Sequence, residues 1–274
     1  MKSTVTLLRC ADSDLDVVNA ARASFGKMVT EMRPSDEQLI EFLATGLRQK
    51  ERLALIRRIV AIGNGYIDEW CNPEGTVPLE EDMIRDATAI IDEIQAIQKH
   101  WAPFAHPTAR FLMRVPLAVA RQFWKSHIGA AGGDEQYAWS EESRRYIDGE
   151  PEFYEIEEWR ARAADKKQGS DGAHEDQLAA KGSSIQSETI AVRTYLDLIQ
   201  SGYAPEQARM YLPQTMMVTW VWTGSLAFFA RVALQRLDDH AQEESREVAK
   251  LLSNHMVKLF PVSWHALVLR GRST

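Results

Sequence analysis

The chain has 274 residues, 45% of them hydrophobic, which is the balance of a globular protein with a packed core and excludes a disordered or fibrous one. Its 32 basic residues against 39 acidic ones leave a formal charge of −7. General binding to nucleic acid through phosphate neutralisation is therefore excluded, and any anion site must be local.

In chain order, Val5 to Arg9 reads as a short strand ending beside Cys10, and Asp12 to Ser24 as a helix. Ser35-Asp36-Glu37-Gln38 has the form of a capping box opening a helix with Leu39, Phe42, Leu43 and Leu47 on one face. Asn72-Pro73-Glu74-Gly75 and Pro78 break the chain just after Cys71, and Met83, Ala87, Ile90, Ile91, Ile94 and Ile97 then repeat at helical spacing up to His100. Two cysteines cannot build a disulfide framework, and with no signal-peptide pattern at Met1-Lys2-Ser3 a cytoplasmic location is expected.

Ala109, Phe111, Met113 and Val115 alternate with Arg110, Leu112 and Arg114, which predicts a half-buried strand. Pro116 is then placed to begin a helix from Leu117 to Lys125. Glycines 129, 132 and 133 predict a flexible loop over about 129–138, and the polar composition of about 165–184 predicts a second segment of little order. From Ile185 the spacing predicts helix almost to the end. Leu226 to Leu237 is apolar on most faces except Arg231 and Arg236, and Val248, Leu251, Leu252, His255 and Leu259 form a stripe. The apolar stretch Met216 to Ala230 is interrupted by Thr219, Thr223, Gly224 and Ser225 and falls short of the about 20 residues of a spanning helix, so no membrane contact is expected. With no internal repeat, few strands and many helices, the pattern predicts a single α+β domain over residues 1–274.

Three segments carry chemistry. Arg121-Gln122-Phe123-Trp124-Lys125-Ser126-His127 ends a predicted helix and is joined by the glycine loop to Ser140-Glu141-Glu142-Ser143-Arg144-Arg145-Tyr146. Arginine forks, hydroxyls and backbone N–H groups at such a junction suit an anion, although charged runs are more often solvated faces. Ala208-Arg209-Met210-Tyr211-Leu212-Pro213-Gln214 is the second. The third runs from Trp222-Thr223-Gly224-Ser225 through Arg231 and Arg236 to Asp238-Asp239-His240-Ala241-Gln242-Glu243-Glu244. An arginine inside an apolar helix is costly unless a carboxylate or a ligand anion waits for it, and the two readings stand level here. No His or Cys spacing suits a metal, so none is expected, and phosphate loops of the G-x-x-x-x-G-K or G-x-G-x-x-G type are absent from the sequence.

In this order the segments resemble the flavin-dependent thymidylate synthases, which methylate deoxyuridylate at C5. Arg-x-x-Leu-Pro at Arg209, Trp-Thr at Trp222, and Arg-x-Asp-x-His-Ala-Gln at Arg236 recur with the family's separations. The resemblance implies the family's fold: one α+β domain with a small, mostly antiparallel sheet and many helices. It also implies FAD as cofactor, with NADPH and methylenetetrahydrofolate as co-substrates, a uridine monophosphate as substrate, and a homotetramer with shared active sites. Carried over residue by residue, the nucleotide would meet Gln122, Lys125, Glu141, Glu142, Ser143, Arg144, Arg145, Arg209 and Arg236, the last polarising the pyrimidine near N3. FAD would meet Lys125, Ser126, His127, Glu141, Ser225, Leu226, Ala227 and Arg231, with Ala102 reaching it from a neighbouring subunit.

Three departures stand out. The family's Arg-His-Arg is replaced by Lys125-Ser126-His127, its Asn by Ser140, and helices are inserted over about 59–98. Lysine lacks arginine's bidentate fork, and a histidine is largely neutral at pH 7. Flavin affinity should fall accordingly. Two alternatives follow: a paralogue methylating UMP in nucleoside-antibiotic biosynthesis, and a non-catalytic nucleotide-binding oligomer. Neither Cys10 nor Cys71 adjoins the arginine clusters, which argues against a cysteine nucleophile.

Overall fold

The computed structural model describes residues 1–70, 88–90, 92–94, 97, 99–126, 139–147, 149–163 and 170–270. Strand β1 (Thr4–Arg9) is followed by helices α1 (Asp14–Ala23), α2 (Pro34–Thr45) and α3 (Gln49–Trp70). Then come β2 (Thr108–Pro116), α4 (Leu117–Trp124), β3 (Trp139–Glu141), β4 (Arg160–Arg162) and β5 (Ser170–Ala173). The last elements used below are α5 (Gln177–Gln200), β6 (Met217–Ser225), α6 (Leu226–Arg236) and α7 (Glu243–Leu259). This is the expected mixed architecture of many helices around a small antiparallel sheet. These elements fall into two compact units, Met1–Asp12 with Pro107–Leu259, and Ser13–His106 with Phe260–Thr274.

The first unit is built on a sheet of order β1-β2-β6-β3, antiparallel throughout. Strand β2 follows the predicted alternation: Ala109, Phe111, Met113 and Val115 are buried and Arg110 is exposed. Strand β6 corrects the helical expectation for this part of the chain. It pairs with β2 along nine residues, Pro116 facing Met217 and Thr108 facing Ser225. Val218, Thr219, Val221 and Thr223 are β-branched and alternate with Trp220 and Trp222, a composition that packs well on a pleated surface. Trp222 anchors the core, meeting Phe228 at 5.1 Å, Phe229 at 5.4 Å and Phe123 at 5.9 Å between ring centroids, while Trp139 stacks on Trp220 at 3.9 Å. These are the offset and edge-on geometries that aromatic quadrupoles favour.

Helix α4 starts directly after Pro116, as expected. Helix α6 starts directly after β6, where the Ser225 hydroxyl accepts from the Phe228 N–H at 3.1 Å. The buried face of α7 is Val248, Ala249, Leu252 and Met256; Leu251, placed on the stripe by spacing, is exposed. Residues 170–184 also differ from expectation. Instead of a segment of little order they form β5, paired with β4, and the start of α5. Specific polar contacts replace apolar burial there: Asp176 caps α5 by accepting from Ala179 N at 2.9 Å. The Gln177 amide bonds the Trp159 backbone in both directions at 2.8 Å. The expected loop at 129–138 and the remainder of the 165–184 segment, 165–169, lie outside the described residues.

In the second unit, α2 begins one residue earlier than the expected box. Pro34 occupies its first turn, and Asp36 accepts from the Arg33 N–H at 3.0 Å. A full capping box sits instead on α1, between Ser13 and Asp16. The buried face of α2 is Asp36, Ile40, Leu43 and Ala44, with Asp36 paired to Arg22; Leu39, Phe42 and Leu47 are only half-buried. Asp14, also buried, holds the C-terminal segment by accepting from Val262 N at 2.9 Å and Ser263 N at 3.0 Å. Within the 59–98 insertion, α3 extends to Trp70, and residues 88–90 and 92–94 are helical. Cys71, Met83, Ala87 and Ile91 lie outside the described residues. No helix among the described residues is long and apolar enough to cross a membrane.

Candidate functional site

The first unit carries a cleft of about 770 Å³ where the C-terminal ends of α4 and α6 approach the N-terminal turn of α7. Gln122 and Arg236 line it, together with Arg160, His240, Gln242 and Arg246. Arg236 donates through Nη2 to the Gln122 carbonyl oxygen at 2.6 Å, and its guanidinium carbon lies 5.9 Å from the Phe123 ring centroid. Its Nε is buried and has no hydrogen-bond partner among the described residues. Burial lowers the guanidinium's proton affinity below its ordinary value, and among the described residues no carboxylate pairs with it. Among the described residues, then, this arginine has no internal salt bridge. A cation held in place but not neutralised is suited to negative charge that arrives with a ligand.

Gln122 is fixed by its side chain as well. Its Nε2 donates to Gln242 Oε1 at 2.5 Å, and its Oε1 accepts from the Ser245 hydroxyl at 3.0 Å. Gln242 Nε2 in turn donates to Glu244 Oε2 at 2.8 Å, and Arg160 Nη2 donates to Glu244 Oε1 at 2.5 Å. Burial pushes the Glu244 carboxyl up, but hydrogen bonds from Arg160, its own backbone and Gln242 outweigh it and hold the group below the usual carboxylate range.

A second cleft, about 330 Å³, gathers Glu141, Glu142, Arg144 and Arg209 with Arg121. Strand β3 places Glu141 opposite Trp220, where Trp139 Nε1 donates to its carboxylate at 3.0 Å. Arg144 is tied to the Gly149 and Glu150 carbonyls. Arg121 and Gln122, neighbours on α4, face different clefts, because consecutive helix residues point about 100° apart.

The remaining expected residues are scattered. Ser143 and Arg145 turn toward each other, Arg145 Nε donating to the Ser143 hydroxyl at 3.2 Å and its guanidinium covering Tyr146 at 5.1 Å. Neither lines the two clefts above. Lys125 caps the end of α4 with an exposed side chain, and the Ser126 N–H returns to the Phe123 carbonyl at 2.8 Å. His127 lies outside the described residues. Ser225, Leu226, Ala227 and Arg231 share the first two turns of α6. Arg231 keeps a buried Nη2 with no hydrogen-bond partner among the described residues and sits 5.9 Å from the Phe228 ring. An orphaned guanidinium nitrogen on a helix whose N-terminus is nearby fits an anionic group such as the pyrophosphate of a flavin dinucleotide. Ala102 begins a short 3₁₀ helix in the second unit. Cys10 follows β1, half-buried, its thiol turned to the Asp12 carbonyl at 3.3 Å. Among the described residues no group of three or more His, Cys, Asp or Glu side chains could hold a metal ion.

Sequence reasoning assigned no role to Arg160, Gln242, Glu244 or Ser245. Gln242 and Glu244 stood in a noted segment, but their tie to Gln122 crosses a long separation in sequence. Arg160 carried no signal beyond the alternation Arg160-Ala161-Arg162, too short to read as a strand.

Comparison with known proteins adds four findings. The family model described as thymidylate synthase complementing protein matches residues 6–262. A flavin-dependent thymidylate synthase from Thermus thermophilus is 31% identical over 194 residues, 70% of this chain and 66% of the relative, so the match spans just under two thirds of that enzyme. One from Thermosipho africanus is 28% identical over 171 residues, 62% of this chain and 72% of the relative. Among solved structures, a UMP/dUMP methylase PolB from Streptomyces cacaoi, bound with 5-Br dUMP, superposes with a TM-score of 0.66. It is 23% identical, covers 97% of this chain and 94% of its own, and establishes likeness of fold.

Proposed function

The chain belongs to the thymidylate synthase complementing protein family, that of the flavin-dependent thymidylate synthases, and from that premise we propose that it methylates a uridine monophosphate at C5. The observation that carries the proposal is Arg236: a half-buried guanidinium, held by the Gln122 carbonyl and with no ion-pair partner among the described residues, in a cleft large enough for a nucleotide. Uracil C5 is a feeble nucleophile, and a cation beside the ring stabilises the negative charge that must develop there. Gln122 supplies the orienting amide, and Arg144, Arg209, Glu141 and Glu142 supply the charge-assisted contacts for phosphate and sugar. Ser143, Arg145 and Lys125 complete the nucleotide set in this proposal.

Arg231, Ser225, Leu226 and Ala227 would hold FAD, joined by Lys125, Ser126, His127, Glu141 and Ala102. When bound, the flavin supplies the hydride that completes the methyl group, with methylenetetrahydrofolate as one-carbon donor and NADPH as reductant. Gln122 and Arg236 line one cleft and Glu141, Glu142, Arg144 and Arg209 the other, a division that supports a homotetramer whose copies complete each other's sites. Met210 and Tyr211, exposed beside Arg209, and Leu178, Ile185 and Ile190, exposed on α5, offer apolar surface for that assembly.

The test is a competition. Protein, FAD, NADPH and methylenetetrahydrofolate are incubated with equal dUMP and UMP, and the nucleotide products are weighed by mass spectrometry. A gain of one methyl group on a nucleotide is expected, with the deoxyribonucleotide ahead. Predominant methylation of UMP would reassign the chain to specialised nucleoside synthesis, and no methylated product from either would overturn the proposal in favour of a non-catalytic oligomer.

A further inference from the structure

Beyond the residues that touch nucleotide, a continuous polar relay runs from Arg160 to Glu244 to Gln242 to Gln122 to Ser245, and Arg160, Gln242 and Gln122 line the 770 Å³ cleft while Glu244 and Ser245 lie behind it. Its members come from β4, the turn before α7, α4 and α7 itself, so the relay ties together parts of the first unit that are remote in sequence. The direction of every hydrogen bond in it follows from one group.

A glutamine side chain has a donating end and an accepting end, and nothing intrinsic decides which way round it sits. An ionised carboxylate can only accept. Glu244 therefore requires Gln242 to present its NH2 end, at 2.8 Å. The carbonyl end of Gln242 is then the one that faces Gln122, and it requires the NH2 end of Gln122, at 2.5 Å. That leaves the Gln122 carbonyl for a donor, and the Ser245 hydroxyl fills the place at 3.0 Å. Arg160, which can only donate, sits at the far end against Glu244 at 2.5 Å and keeps the carboxylate ionised. Ser245 is fully buried and Glu244 nearly so, which fixes the two residues of α7 at the ends of the glutamine pair, while Gln122 is half-buried and Gln242 exposed to the cleft.

We propose that Glu244, held by Arg160, is a positioning residue that sets the rotational sense of the Gln122 amide and so the donor pattern the cleft offers to a nucleotide. With one Nε2–H committed to Gln242, Gln122 has its second N–H directed by the relay. A reversed amide would turn an oxygen to the same place, and an acceptor on the nucleotide would meet an acceptor. Glu244 touches no substrate in this scheme; it acts through two glutamines. The inference rests on the functional reading above, in which Gln122 is a nucleotide contact.

The test is a double-mutant cycle read by calorimetric binding of dUMP and UMP to the FAD-loaded protein. Glu244→Gln keeps size and shape but lets the neighbouring amides adopt either sense. Its Kd is expected to rise about tenfold, the factor that one misdirected polar contact commands. Gln122→Ala should lose a similar factor alone. The discriminating measurement is the double variant: if Glu244 works through Gln122, Glu244→Gln adds no more than about twofold in the Gln122→Ala background. An equal loss in both backgrounds, or no loss in either, overturns the inference and makes Glu244 a merely structural partner of Arg160. If Glu244→Gln does not fold, Ser245→Ala, which removes only the donor at the other end of the relay, replaces it in the same cycle with the same decision. A wild-type protein that binds neither nucleotide overturns the functional reading itself, an outcome distinct from wild-type binding that Glu244→Gln leaves unchanged.

Discussion

Arg236→Ala is expected to lower kcat for nucleotide methylation by about 10²–10³, the loss that follows removal of a preorganised group aimed at developing charge. The fold should survive. Among the described residues the Arg236 side chain makes one hydrogen bond, to the Gln122 carbonyl, and no ion pair. Its removal takes away a half-buried cation whose desolvation is offset by that one hydrogen bond and the Phe123 ring, so the melting temperature should change little. Arg236→Lys separates charge from geometry: lysine keeps the point charge but cannot both hold the Gln122 carbonyl and present a second planar donor. Its kcat should fall between wild type and alanine. The readout is single-turnover formation of methylated nucleotide together with a thermal melt. Near-normal turnover by Arg236→Ala would remove this residue from the chemistry, and with it the observation on which the functional proposal stands.

How far the sequence shows these features depends on what kind of force makes each one. Strand β2 was legible because its two faces differ, Phe111 and Met113 buried while Arg110 is exposed, and alternation is the direct trace of that difference. Strand β6 was not, because it lies between β2 and β3 and carries no exposed residue, so its apolar run cannot be told from a buried helix by period. The usable signal was composition: β-branched residues alternating with tryptophans. The start of α5 was missed for the opposite reason. Its order comes from the Asp176 cap and the Gln177–Trp159 amide contacts, and polar contacts of that kind leave no periodicity.

The site divides the same way. Arg236, Gln122 and Arg209 were named because they lie in short runs that resemble a family in order. That these runs supply two clefts, and not one, is a property of α4's geometry which order alone does not reveal. Arg160 belongs to a segment of low apolar content and gains its place only when β4 pairs with β5 and brings the guanidinium to Glu244.

Gly224→Ala is the substitution expected to cost most in stability, and it shows how the sheet core and the cation site depend on each other. A Cβ built at Gly224 would lie 2.8 Å from Phe228 Cε1, closer still to Cδ1, and 3.1 Å from Phe229 Cε2. Neither ring can yield. Both are fully buried, they meet each other at 5.1 Å between centroids, and Phe228 also meets Trp222 edge-on at 5.1 Å. Overpacking of a filled core costs about 1–3 kcal/mol and sometimes more, against which a loss of backbone freedom in the unfolded chain returns only about 0.4–1 kcal/mol. A net loss of about 1–2 kcal/mol should lower the melting temperature by about 2–8 °C in a chain of this size. The second consequence is functional. Gly224 directly precedes Ser225, the N-cap of α6, and α6 carries Arg231 in its middle and Arg236 at its end. A shift of Phe228 and Phe229 moves the helix that aims both arginines, so flavin affinity and turnover should fall together with stability. Trp222→Phe tests the alternative that any core damage has this effect. It leaves a smaller ring and a void without pushing on α6, and should lower the melting temperature while largely preserving turnover at temperatures where it remains folded. Equal loss of activity in the two variants at matched stability would mean that α6 is positioned by the core as a whole and not through Gly224.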